Sequence, residues 1–173
     1  MKRILAVVFC LSLYSIPVFA QKMAAKEQAI RDQRFVNFVA QTDMVEANLG
    51  QLAKTAGASP SVKDCAQALV TDHTSDFQEI SGLAHKAGLS VPKAIDIENN
   101  RAVISPFQKL KGTAFDRRYI QLMIAEHVKA IAVFKKEAAD AETPALKTYA
   151  GQTLPVLKKL LADAKDVEKS KAS

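Results

Sequence analysis

Past its first twenty residues, this chain sets apolar side chains at intervals of three and four, and it contains no run of alternating β-branched residues. That spacing draws one apolar stripe along a helix. The first stripe, Phe35, Phe38, Val39, Thr42, Val45, Leu49, Leu52, Ala53 and Ala56, predicts a helix over about residues 27–56, stopped by Gly57. Ser59 as N-cap and Pro60 at the first helical position open a second helix that reaches residue 86 or 87 and closes at Gly88. A connector over 88–92 leads to a shorter helical segment, about 96–111, bent near Ser105-Pro106 because proline has no N–H to donate inside a helix, and ended by Gly112. The third long helix covers about 113–141, with Ile120, Met123, His127, Ile131, Phe134 and Ala138 on its inner row. Thr143 and Pro144 start the last helix, which runs to about 168 with a kink expected near Pro155. Four long helices and one short one predict an all-α protein, an antiparallel four-helix bundle whose short extra helix lies in the crossover between the second and third long helices.

The N-terminus has a different order. Lys2 and Arg3 precede an apolar run over 4–14, Pro17 breaks it, and Val18-Phe19-Ala20 offers a small-residue cleavage site. A membrane span needs roughly 20 apolar residues, and here Ser12, Ser15 and Pro17 interrupt a shorter run. The expectation is a cleaved secretory signal over 1–20 and a periplasmic or cell-envelope location. Residues 21–173 then form a single helical domain, its core about 27–168 and a lysine-rich tail over 169–173. Cys10 follows Val8-Phe9 rather than the small residues that precede a lipidated cysteine, which argues against a lipid anchor. Cys65 is then the one cysteine of the mature chain, so no intramolecular disulfide forms, and on the row Val62, Cys65, Leu69 it reads as a small hydrophobe.

Losing Lys2 and Arg3 lowers the formal charge from +6 to +4, and the remaining lysines are spread along helix faces without aromatic interleaving. No nucleic-acid partner is expected. The terminal lysines Lys165, Lys169 and Lys171 suit weak contact with an anionic envelope surface, and self-association into a homo-oligomer stays open.

Three polar residues fall where the helical period points inward: Glu46 among Val39, Thr42, Leu49 and Ala53, His73 between Leu69 and Phe77, and His127 among Ile120, Met123, Ile131 and Phe134. Each is midway along its helix, so an antiparallel bundle brings them to similar depth. A buried charge is costly unless it is paired, hydrogen-bonded or bound to metal. One reading is therefore a structural polar layer in which Glu46 accepts from the histidines. The other is a mononuclear site for one transition metal ion (zinc, iron, copper or manganese) with Glu46, His73 and His127 as ligands. Asp72, Asp76 and Glu126 are the nearby candidates for a fourth ligand, although the period turns them toward solvent. The paired Glu-x-x-His pattern of di-metal bundles is missing, since Val70 and Ile124 stand three before the histidines. His85, about 120° round its helix from His73, reads as a surface residue. No Gly-x-Ser-x-Gly, Cys/His pairing or phosphate loop appears, so no catalytic residue is assigned. Phe35, Phe38, Phe77, Phe115 and Phe134, with Met44 and Met123, read as core rather than as a lipid pocket. A binding protein is favoured over its alternatives, a mononuclear metal-dependent enzyme using the same three residues or an envelope interaction module with a purely structural polar core.

Over 34–167 the chain also resembles a known family. The residues that carry the likeness are Phe38-Val39, Glu46 and Leu49-Gly50-Gln51-Leu52-Ala53, then Val70-Thr71-Asp72-His73 and Leu83-Ala84. Further along come Gly112, Phe115-Asp116, Tyr119, His127, Phe134 and Leu154-Pro155-Val156-Leu157. Together they resemble a ferritin-like group of exported bacterial proteins called domain of unknown function 4142. The resemblance implies a ferritin-like four-helix bundle, an envelope location, no established activity, and a core in which Glu46, His73 and His127 match recurring polar positions. In that family a further histidine commonly follows Leu-Pro-x-Leu by three residues, and here that position is Leu160. The departure implies one ligand fewer, or an open coordination position.

Overall fold

The computed structural model describes residues 18–170 and is helical nearly throughout. Four long helices, α1 (Val18–Ala56), α2 (Pro60–Lys86), α4 (Gly112–Asp140) and α5 (Pro144–Ser170), are joined by two tight turns and one long crossover. Within the crossover a single turn, α3 (Ile97–Asn99), runs on into a wider π turn (Asn100–Ile104) and a 3₁₀ turn (Ser105–Phe107). Residues 1–17, where most of the expected secretory signal falls, lie outside the described residues. α1 begins at Val18 rather than near 27, because the Ala-, Lys- and Gln-rich stretch before the bundle favours helix even where it is exposed. Among the described residues no helix is long and apolar enough to cross a membrane.

The turns form as their residues dictate. Ser59, extended at φ −85° and ψ 140°, accepts from the Val62 N–H and caps α2, with Pro60 directly after it. Gly88 ends the turn after α2 at φ 70°, and Gly112 enters α4 at φ 62°, backbone that an L side chain strains to adopt. The α1–α2 turn is also held from the far side of the bundle. The buried carboxylate of Asp116, near the start of α4, accepts from the N–H groups of Ala58 at 3.0 Å and Ser59 at 2.9 Å. Gly57 leaves room for it, since a Cβ there would sit 2.9 Å from Asp116 Oδ1.

Contacts fix the direction of each helix. Phe35 in the first half of α1 stacks edge-on against Phe134 late in α4 and Tyr149 early in α5, at 5.2 and 6.1 Å between ring centres. With the turns at 57–59 and 141–143 reversing the chain, α1 and α5 point one way and α2 and α4 the other. The crossover therefore travels the length of the bundle. It is pinned to α1 by two glutamines, Gln33 bonding Ser90 and Gln41 bonding the Ala94 carbonyl and the Asp96 N–H.

The core is in two parts. One holds Leu49, Ala53, Val62, Leu69, Phe107, Phe115, Tyr119, Met123 and Leu160, and the other Phe35, Val39, Ile80, Phe134, Leu146, Tyr149 and Leu157. Phe35, Phe115, Phe134 and Met123 thus serve as core, while Cys65 packs half-buried at the edge. Burial pushes the Cys65 thiol up to about 11. At Gly50 a Cβ would come 2.5 Å from Val70, so α1 and α2 approach closely there.

Replacing Asp116 with alanine removes a charged acceptor from two backbone donors and is expected to lower stability by about 2 kcal/mol. Urea unfolding checks this, and a change below about 0.5 kcal/mol would count against the strap.

Candidate metal centre

Between the two apolar halves lies a layer of four buried polar side chains. Asp43 and Glu46 come from α1, one turn apart, His73 from the middle of α2 and His127 from the middle of α4. The fourth long helix, α5, adds no charged side chain to this layer; it presents Leu157 and Leu160, with the Tyr149 hydroxyl close to Asp76. The three residues expected from the sequence are together. One donor atom from each of Glu46, His73 and His127 lies within 4.8 Å of the others.

Each ring makes one hydrogen bond through Nδ1. His127 Nδ1 is 2.8 Å from the Met123 carbonyl, an acceptor only, so Nδ1 carries a proton, and the same atom stands 3.6 Å from Glu46 Oε2. His73 Nδ1 is 2.9 Å from Asp43 Oδ1, which orients that ring in the same sense. Its Nε2 stands 3.1 Å from Glu46 Oε2, but the pair is not aligned as a hydrogen bond. Glu46 Oε2, His73 Nε2 and His127 Nε2 are all buried, and none has a hydrogen-bond partner. Such a set violates the general rule that buried polar atoms are satisfied. Histidines that bind metals typically donate the remote N–H to a carboxylate or a backbone carbonyl, which is what Asp43 and Met123 receive here.

In the metal-free protein a proton supplies part of the missing compensation. Burial works against a charged His73, but the Glu46 charge close by and the hydrogen bond to Asp43 outweigh it and lift its pKa well above 6.5. Burial would also raise Glu46, yet the charge of His73 holds it below its ordinary value. Burial dominates at Asp43 and raises it to about 7.

Asp43 escaped the sequence reading. It lies four after Val39 and seven after Val36, both buried, so the period could have revealed it. The expected stripe held the buried Phe35, Val39, Val45, Leu49 and Ala53, but it also took in Phe38, Thr42 and Leu52, which are only half-buried, and passed over Val36, Ala40 and Asp43. Asp72, Asp76 and Glu126 are half-buried rather than solvent-facing and are not part of the three-residue cluster. His85 is exposed, as expected.

A family model described as "Domain of unknown function (DUF4142)" matches residues 18–167. No curated protein matches the sequence. Among solved structures, CopM in its silver-bound form (by co-crystallization) is similar at a TM-score of 0.62 and 17% identity, over 80% of this chain and 96% of that one. CopM in its copper(II)-bound form is similar at a TM-score of 0.59 and 15% identity, over the same shares of the two chains. At this identity the likeness is one of fold.

The hydrogen-bond pattern has a direct spectroscopic consequence. Long-range ¹H–¹⁵N correlation spectra of the metal-free protein are expected to show His127 as the Nδ1–H tautomer. An Nε2–H tautomer would contradict the orientation described.

Proposed function

This chain belongs to the family described as domain of unknown function 4142, and from its core geometry we propose that it is an exported protein that holds one transition metal ion inside its bundle. Glu46 Oε2, His73 Nε2 and His127 Nε2 are the ligands, Asp43 and the Met123 carbonyl orient the two rings, and copper(II) is the preferred ion. The observation that carries this reading is the buried cluster of Glu46, His73 and His127, which offers one donor atom from each within 4.8 Å of the others and in which Glu46 Oε2 and both Nε2 atoms have no hydrogen-bond partner.

The choice of ion rests on donor chemistry. Two imidazoles and one carboxylate suit copper(II) and zinc, and copper(II) binds such sites most tightly among the divalent first-row ions. That CopM was solved with silver and with copper(II) supports the same choice. Leu160 on α5 adds no ligand, so a water molecule would complete the coordination sphere. Export is supported by the basic, apolar and small-residue order of 1–20. The activity assigned is binding, which fits capture of a metal in the envelope.

Elemental analysis and copper(II) titration test this reading. Wild type and His85→Ala are expected to hold one ion each, whereas His73→Ala and His127→Ala should lose affinity by roughly 100-fold or more. A wild type that retains and binds no metal would leave a structural layer held by the proton on His73. Equal losses in all three variants would sink the assigned ligands.

A further inference from the structure

Two grooves lead from the surface to the polar layer, and their charges differ. The first, about 340 Å³, runs between α1, α4 and the crossover and reaches Glu46. Arg34 and Lys129 share its lining with Asp96 and Glu126, so cationic and anionic groups offset one another. The second, about 260 Å³, lies between α2 and α5 and reaches His73. Its lining carries three carboxylates, Asp72, Asp76 and Glu79, all from α2, and no lysine or arginine, with His73 as the one basic group at its inner end. Lys159 on α5, whose charge reaches Asp72, is itself paired with Asp163 at 2.5 Å.

His73 sets this acidic groove apart from an ordinary solvated helix face. It is 3% exposed, and its Nε2 has no hydrogen-bond partner. Asp76 stands three residues beyond it, nearly one turn along α2, half-buried on the way in. We propose that the groove between α2 and α5 is the route by which a metal cation reaches the core, with Asp72, Asp76 and Glu79 drawing it from solvent and delivering it to His73. The inference rests on the metal-binding reading above. A cleft lined by one sign of charge concentrates counter-ions and raises association rates by about 10- to 1,000-fold, an effect that salt screens. The mixed charges of the α1–α4 groove give no such bias. The three carboxylates thus govern how fast the ion arrives, while Glu46, His73 and His127 govern how tightly it is held.

The chain has no tryptophan, and Tyr119 and Tyr149, both buried, flank the layer in opposite halves of the core, so quenching of tyrosine fluorescence by copper(II) reports uptake. In stopped-flow mixing with copper(II) at low salt, the triple variant Asp72→Asn/Asp76→Asn/Glu79→Gln is expected to bind about tenfold more slowly than wild type, at unchanged stoichiometry. Salt should slow wild type toward the variant. Asp96→Asn/Glu126→Gln, on the other groove, should leave the rate as it is, and Asp76→Asn alone should slow uptake about threefold if the triple variant does not fold. An unchanged rate in the α2 variants, or slowing in the other groove's variant instead, overturns the route and leaves the metal site standing. Lost stoichiometry in the α2 variants also overturns it, because those carboxylates would then be ligands. Wild type that takes up no copper(II) overturns both readings.

Discussion

The fold depends on how four ionisable side chains are compensated in a layer with little access to water. Asp43, Glu46, His73 and His127 are each at most 3% exposed, and burying an uncompensated charge costs several kcal/mol. Two of the compensating contacts are fixed by the protein itself, His73 to Asp43 and His127 to the Met123 carbonyl. Glu46 Oε2 lies between the rings, 3.1 Å from His73 Nε2 and 3.6 Å from His127 Nδ1, in a cluster that a proton or a cation would help to satisfy. The same geometry thus explains the raised pKa of His73 and the suitability of the site for a metal ion.

The rest of the bundle serves to hold those helices at the required depth. Gly50 lets α1 approach α2 one turn beyond Glu46. The carboxylate of Asp116 ties the α1–α2 turn to the start of α4, which keeps Glu46 and His127 in register across the molecule. Gln33 and Gln41 hold the crossover along α1, so that α4 begins beside the C-terminal end of α1. The apolar clusters on either side bury the layer, and low exposure strengthens the electrostatic interactions within it.

Much of this was legible in the sequence, because the residues that end helices also determine their spacing. Gly57, Ser59-Pro60, Gly88 and Thr143-Pro144 marked the turns, and the midpoints of the helices then brought Glu46, His73 and His127 to one level. Asp43 was not found, because an aspartate on a helix reads as a surface residue until the burial of its neighbours is known. The half-buried positions of Asp72 and Asp76 depend on how closely α5 packs against α2, which periodicity within a single helix does not encode. The crossover showed its bend at Pro106, whereas its succession of α, π and 3₁₀ turns follows from packing against α1. The likeness to CopM agrees with the bundle fold while sharing few residues.

In the function proposed above, two imidazoles and one carboxylate, buried and preorganised, retain a metal ion. The central claim concerns the atoms that touch the ion. Pulsed EPR of the copper(II)-loaded protein reads them directly, since the remote ring nitrogen of each coordinated imidazole couples to the electron spin. The account requires coupling from two histidines, each bound through Nε2, falling to one in His127→Ala. A spectrum with no histidine coupling, or one unchanged by that substitution, would contradict it.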